Sequence, residues 1–84
     1  MTVFMYTADY CTTCKVMKPI FQELCDKYHI DFVEVDVGAF PDEAVDLDIT
    51  TLPTFLFCKD GIEDRRHAGA MARHAIEKVL REYA

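Results

Sequence analysis

Tyr6-Thr7-Ala8-Asp9-Tyr10-Cys11-Thr12-Thr13-Cys14-Lys15 joins an apolar run, Val3-Phe4-Met5-Tyr6, to a long amphipathic stretch that begins at Lys15. The order is strand, turn and helix start, with two thiols at the turn. In the first turn of a helix, residues three apart are neighbours, with Cβ atoms roughly 5–6 Å apart, so Cys11 and Cys14 can close and reopen a disulfide with little backbone adjustment. Free backbone N–H groups and the positive end of the helix dipole favour a thiolate at the first position, which is also the more exposed one. Cys11 is therefore the candidate nucleophile. Cys14, one turn in and facing the core, is the candidate resolving thiol, which attacks the mixed disulfide formed by Cys11. A zinc site needs two further ligands at suitable spacing, and Cys25 and Cys58 stand singly in a helical and a strand pattern, so redox chemistry is the expected use of the pair and no metal is expected.

Working outward, Thr2 to Thr7 is apolar on both faces, as suits a strand in the middle of a sheet with parallel character. Cys14, Met17, Phe21, Leu24 and Tyr28 recur in steps of three and four and predict a helix from Cys11 to about Tyr28, kinked at Pro19 but continuing past it. Asp31 to Val37 alternates as a strand, completing a βαβ unit with a right-handed crossover. Phe40-Pro41-Asp42-Glu43 opens a short helix to about Leu47. Phe55 to Cys58, the turn Lys59-Asp60-Gly61 and Ile62 to His67 form a hairpin, whose charged second strand belongs at the sheet edge. After Gly69, Ala72, Ala75, Ile76, Val79, Leu80 and Tyr83 mark the apolar stripe of a last helix. Tyr10 is expected as an aromatic rim beside the thiols, Cys25 and Cys58 as core filler, and His29, His67 and His74 as surface residues.

Eighty-four residues suit one domain spanning 1–84, with a core near the lower limit for folding without a staple. A formal charge of −6 argues against nucleic acid and anionic membranes as partners. Seven acids and no Lys or Arg lie from Asp31 to Asp48, a run that reads as a solvated face. The opening residues carry no basic segment followed by a long apolar run, and four cysteines are too few for a disulfide framework. The expected setting is cytoplasmic, and the expected state a monomer.

With the βαβ unit, Cys11-Thr12-Thr13-Cys14 and Leu52-Pro53-Thr54-Phe55-Leu56-Phe57-Cys58-Lys59-Asp60-Gly61 in view, the sequence resembles the thioredoxin family over nearly its whole length. Tyr6 to Cys11 is similar to the aromatic segment before that family's active site. Lys15 and Pro19 stand where the family has a lysine and a helix-kinking proline, and Gly69-Ala70 where it leads into the last helix. The resemblance implies a minimal thioredoxin fold, a four-stranded mixed sheet with three helices in the order β-α-β-α-β-β-α. It also implies reduction of protein disulfides with no cofactor beyond the Cys11–Cys14 pair, and a reductase donor such as thioredoxin reductase. Tyr10, Thr12, Thr13, Leu52, Pro53, Gly69 and Ala70 then border the substrate, with the Leu52–Pro53 bond cis so that the backbone of Leu52 can pair with an extended substrate segment.

The chain also departs from the pattern. It begins at the motif-bearing strand, as short glutaredoxin-sized members do, and two threonines stand between the cysteines instead of Gly-Pro or Pro-Tyr. A glutathione-dependent, glutaredoxin-like reductase and a non-enzymatic binding module or redox sensor are the alternatives. The buried aspartate that thioredoxins place under the active site is Met5 here, and the lysine beside it is Glu34. A partly buried Glu34 is thus the candidate proton acceptor for Cys14; the alternative is a solvated Glu34 at the sheet margin, with water or the departing thiolate taking the proton.

Overall fold

A computed structural model describes residues 1–84. The strands are β1 (Thr2–Thr7), β2 (Asp31–Asp36), β3 (Thr54–Lys59) and β4 (Ile62–Ala68), and the helices α1 (Thr12–Lys27), α2 (Pro41–Asp46) and α3 (Arg73–Tyr83). They form one sheet in the order β2-β1-β3-β4, with β1 parallel to β2 and the other neighbours antiparallel. The four-stranded mixed sheet with three helices is the one expected, and boundaries differ by a residue or two. Ala72, counted in the last helix's stripe, is instead its exposed N-cap, and Arg73 is the first helical residue.

The central place of β1 follows from its sequence, since a strand hydrogen-bonded on both sides and covered on both faces must be apolar throughout. Val3 and Met5 point into the larger core with Cys14, Met17, Phe21, Leu24, Cys25, Ile30, Phe55, Phe57, Ile76 and Leu80, which packs α1 and α3 onto one face. Phe21 anchors it: the ring is fully buried and lies 3.9 Å, centroid to centroid, from Phe55. Helix α1 runs on through Pro19 to Lys27. On the opposite face Tyr6, Val35, Leu56 and Cys58 meet Leu47 and Ile49.

Helix α2 buries no residue of its own. It is held from outside its own sequence: the Tyr6 hydroxyl donates to Glu43 Oε1 at 2.7 Å, and Arg66 Nη1 donates to the Leu47 carbonyl at 2.9 Å. Burial and then the Glu43 bond raise the Tyr6 hydroxyl well above the usual tyrosine range, so it stays a donor. The hairpin turns through Asp60 and Gly61, both at positive φ, the geometry that matches the right-handed twist of the flanking strands. Edge strand β4 is charged and exposed over most of its length, as its sequence requires.

The register fixes where chemistry can occur. Tyr6 pairs with Thr54, and Thr54 with Ala68, so one row of the sheet brings together the C-terminus of β1, the N-terminus of β3 and the C-terminus of β4. One step beyond that row stand Thr7, Pro53 and Gly69.

Candidate functional site

Cys11 occupies the N-cap of α1, with extended backbone angles and its own N–H donated to the Ala8 carbonyl at 3.0 Å. Its Sγ accepts the backbone N–H of Cys14 at 3.2 Å, the position in which a serine or aspartate would ordinarily cap a helix. The same donor, with the helix dipole behind it, stabilises negative charge on that sulfur. Cys11 and Cys14 are joined as a disulfide with Cα atoms 5.3 Å apart. Cys11 is half-buried, whereas Cys14 is only 1% exposed, so the accessibility expected from the helical spacing is observed.

The other two cysteines differ chemically. Cys25 is fully buried, and burial pushes its thiol up to about 12; burial also raises that of Cys58. Both stay protonated at neutral pH and serve as packing.

Next to the pair in sequence, Tyr10 is 82% exposed and is not a core aromatic, and Thr12 and Thr13 are exposed on the first turn of α1. The Leu52–Pro53 bond is cis, as expected. Pro53 is buried, Leu52 is half-buried, and the Thr54 hydroxyl donates to the Thr51 carbonyl, holding the approach to β3. Gly69, at φ +93°, donates its N–H to the Pro53 carbonyl at 2.7 Å. A side chain at that φ would be strained, so the glycine is required where β4 turns beside Pro53. Ala70 follows, exposed. The three loops that sequence alone could only name are thus brought to one end of the sheet.

Glu34 takes the second of its two anticipated placements, at the sheet margin. Its register opposite Met5 is as anticipated, but β2 is an edge strand, so the carboxylate is 37% exposed instead of buried beneath the cysteines. Lys18 Nζ donates to it at 3.0 Å. Lys18 lies one helical turn beyond Cys14, a spacing legible in the sequence, whereas its pairing with Glu34 is set by the fold. The two line a cavity of about 280 Å³ together with Thr7, Ala8, Asp9, Cys14, Lys15 and Asp36. This cavity gives the buried Cys14 a polar outlet. His67, expected as a plain surface residue, is half-buried, and its Nε2 lies 3.1 Å from the Ala70 carbonyl.

A mixed sheet of this order, carrying a closed pair of cysteines at the N-terminus of its first helix beside a cis-proline, defines a dithiol–disulfide redox protein. The thioredoxin family model matches residues 1–82. Thioredoxin of Mus musculus is 39% identical over 85 aligned residues, covering 100% of this chain and 80% of that protein. Thioredoxin of Gallus gallus is 38% identical, covering 83% and 68%. Among solved structures, mitochondrial thioredoxin 3 of Saccharomyces cerevisiae in its oxidized form superposes with a TM-score of 0.85 at 34% identity, covering 96% of this chain and 76% of that one. Thioredoxin 1 of Thermosipho africanus has a TM-score of 0.89 at 24% identity, covering 99% and 93%, and bears on the fold alone. The chain belongs to the thioredoxin family. With the Cys11–Cys14 pair in place, it is a thiol–disulfide oxidoreductase.

Proposed function

We propose that the protein reduces disulfides of other proteins by dithiol exchange, with Cys11 attacking and Cys14 resolving. The Cys11 thiolate attacks one substrate sulfur; the substrate S–S bond breaks, and its other sulfur leaves as a thiolate that takes up a proton. Cys14 then loses its proton and attacks Cys11 Sγ, closing the intramolecular disulfide and releasing the second substrate thiol. Two electrons pass to the substrate, and a donor dithiol, of the kind a thioredoxin reductase supplies, returns them. The carrying observation is the asymmetry of the pair: one sulfur caps a helix at the surface, and the other is buried a turn below it.

The exposed Tyr10, Thr12 and Thr13 form one wall of the docking site, and Leu52, Pro53, Gly69 and Ala70 the other, with the backbone of Leu52 offered to an extended substrate segment. Glu34 takes the Cys14 proton across the shared cavity, through water and not by direct contact, with Lys18 holding the carboxylate. The pair is its own redox group and needs no further cofactor, and the reading places the protein in the cytoplasm as a monomer. No helix is long and apolar enough to cross a membrane.

The test is Cys14→Ser, which is expected to accumulate a mixed disulfide through Cys11 when mixed with an oxidised protein substrate, whereas Cys11→Ser forms none. Faster alkylation of Cys14 than of Cys11 in the reduced native protein would reverse the roles. Insulin reduction, run separately with thioredoxin reductase and with glutathione plus its reductase, identifies the donor. The former is expected to support turnover.

A further inference from the structure

We infer that His67 is a positioning residue for protein substrates, fixing the Gly69–Ala70 wall of the docking site through its imidazole. The inference rests on the dithiol-exchange reading above and adds to it a residue outside the cysteines, the cis-proline and the loop itself.

Residues 69–71 leave the end of β4 before α3 begins, and two hydrogen bonds tie them back to the sheet. One is Gly69 N–H to the Pro53 carbonyl at 2.7 Å. The other joins His67 Nε2 to the Ala70 carbonyl at 3.1 Å. A carbonyl oxygen only accepts, so Nε2 is the donor and carries the hydrogen. The Nε2–H tautomer supplies that hydrogen.

What the imidazole transmits is rigidity from the core. His67 pairs with Phe55 across the β3–β4 ladder, and paired residues on antiparallel strands share a face. Phe55 is fully buried and stacked on Phe21. His67 is accordingly the shielded residue of a strand whose other members are exposed. Its backbone is held by the ladder, and its ring reaches three residues ahead to a loop with no ladder of its own. Without the donor, Ala70 keeps only the neighbouring Gly69 tie, and a protein substrate must order the loop as it docks. That ordering weakens binding of an extended chain without touching the sulfur chemistry. A small disulfide, which needs only the thiols, is indifferent to it.

The test compares His67→Ala, His67→Gln and His67→Asn in steady-state reduction of insulin and of cystamine, with thermal melts of each variant. Loss of one hydrogen bond of ordinary strength is expected to raise the insulin KM of His67→Ala roughly three- to tenfold, with kcat and the cystamine rate unchanged. Glutamine places an N–H near the position of imidazole Nε2 and is expected to restore the parent KM; asparagine, one bond shorter, is not. A parent-like insulin KM in His67→Ala, equal loss on both substrates, or a glutamine variant as impaired as the asparagine one would overturn the assignment. Should the alanine variant fail to fold, the glutamine–asparagine contrast decides alone. Failure of the parent protein to reduce either substrate would refute the dithiol reading, a result distinguishable from all of these.

Discussion

Truncating Phe21 to alanine tests whether the core holds the site. The ring is fully buried, 3.9 Å from Phe55, 6.0 Å from Phe32 and 6.4 Å from Phe57, so its removal empties the centre of the α1–sheet interface. Lost transfer free energy and the cavity left behind cost about 3–5 kcal/mol for Phe→Ala at such a site. A chain of 84 residues is stabilised by only about 4–13 kcal/mol in total, so this single change removes a large share. At an m-value of about 1 kcal/mol/M, the urea midpoint, followed by circular dichroism on the oxidised protein, falls by at least about 3 M. Phe21→Leu, which keeps most of the volume, is expected to cost less than about 1.5 kcal/mol. Because Phe21 sits two turns below Cys14 on the same stripe of α1, the alanine variant also exposes Cys14 to alkylation in the reduced state. A loss below about 1 kcal/mol for the alanine variant, or a leucine variant equally damaged, would refute the packing argument.

Two further outcomes follow from charge. The Glu77 carboxylate accepts from Lys27 Nζ at 2.5 Å and from the Tyr28 hydroxyl at 2.7 Å, which with nearby Arg81 hold it down to about 2. A depressed folded-state value means stability fully present above the ordinary carboxylate range and lost as pH falls from about 4.5 through about 2, so Glu77→Gln is expected to flatten acid unfolding in that window. High salt should shrink the difference, since the cluster lies near the surface; an unchanged acid limb would reject the assignment. For Glu34→Gln, slower resolution with normal Cys11 attack between about pH 6 and 8 is expected, by less than the hundredfold usual for general-base help because solvent reaches the same cavity. An identical pH–rate profile dismisses Glu34 as the acceptor.

Period and punctuation made most of the fold legible. The steps from Cys14 to Tyr28, the charged second hairpin strand and the turn at Lys59-Asp60-Gly61 each depend on near neighbours in sequence, and each is found as read. The cysteine pair was legible for the same reason, since three residues suffice to place one sulfur on the cap and the other in the core. Glu34 was not, because its burial depends on which strand lies outermost, and alternation within β2 carries no information about a missing neighbour on its far side. His67 was missed for a related reason. Nothing in Arg65-Arg66-His67-Ala68 separates a solvated histidine from one aimed at a carbonyl three residues later, until the turn at Gly69 brings Ala70 back within 3.1 Å.

Met5 shows how these parts depend on one another. It is fully buried on the central strand, directly opposite Glu34, in the same core as Cys14. A carboxylate there would have to surrender its hydration or its charge, whereas methionine fills the space without either cost. With no ionisable group at that position, the polar cavity lined by Cys14, Glu34 and Lys18 is the outlet we propose for the Cys14 proton. In the proposed mechanism, proton handling lies at the edge of the sheet, where solvent shares it, and not in the core. The core is left to position: Phe21 and Phe55 seat α1 under the sulfurs, and the ladder from Phe55 to His67 carries the same rigidity across to the loop that faces them.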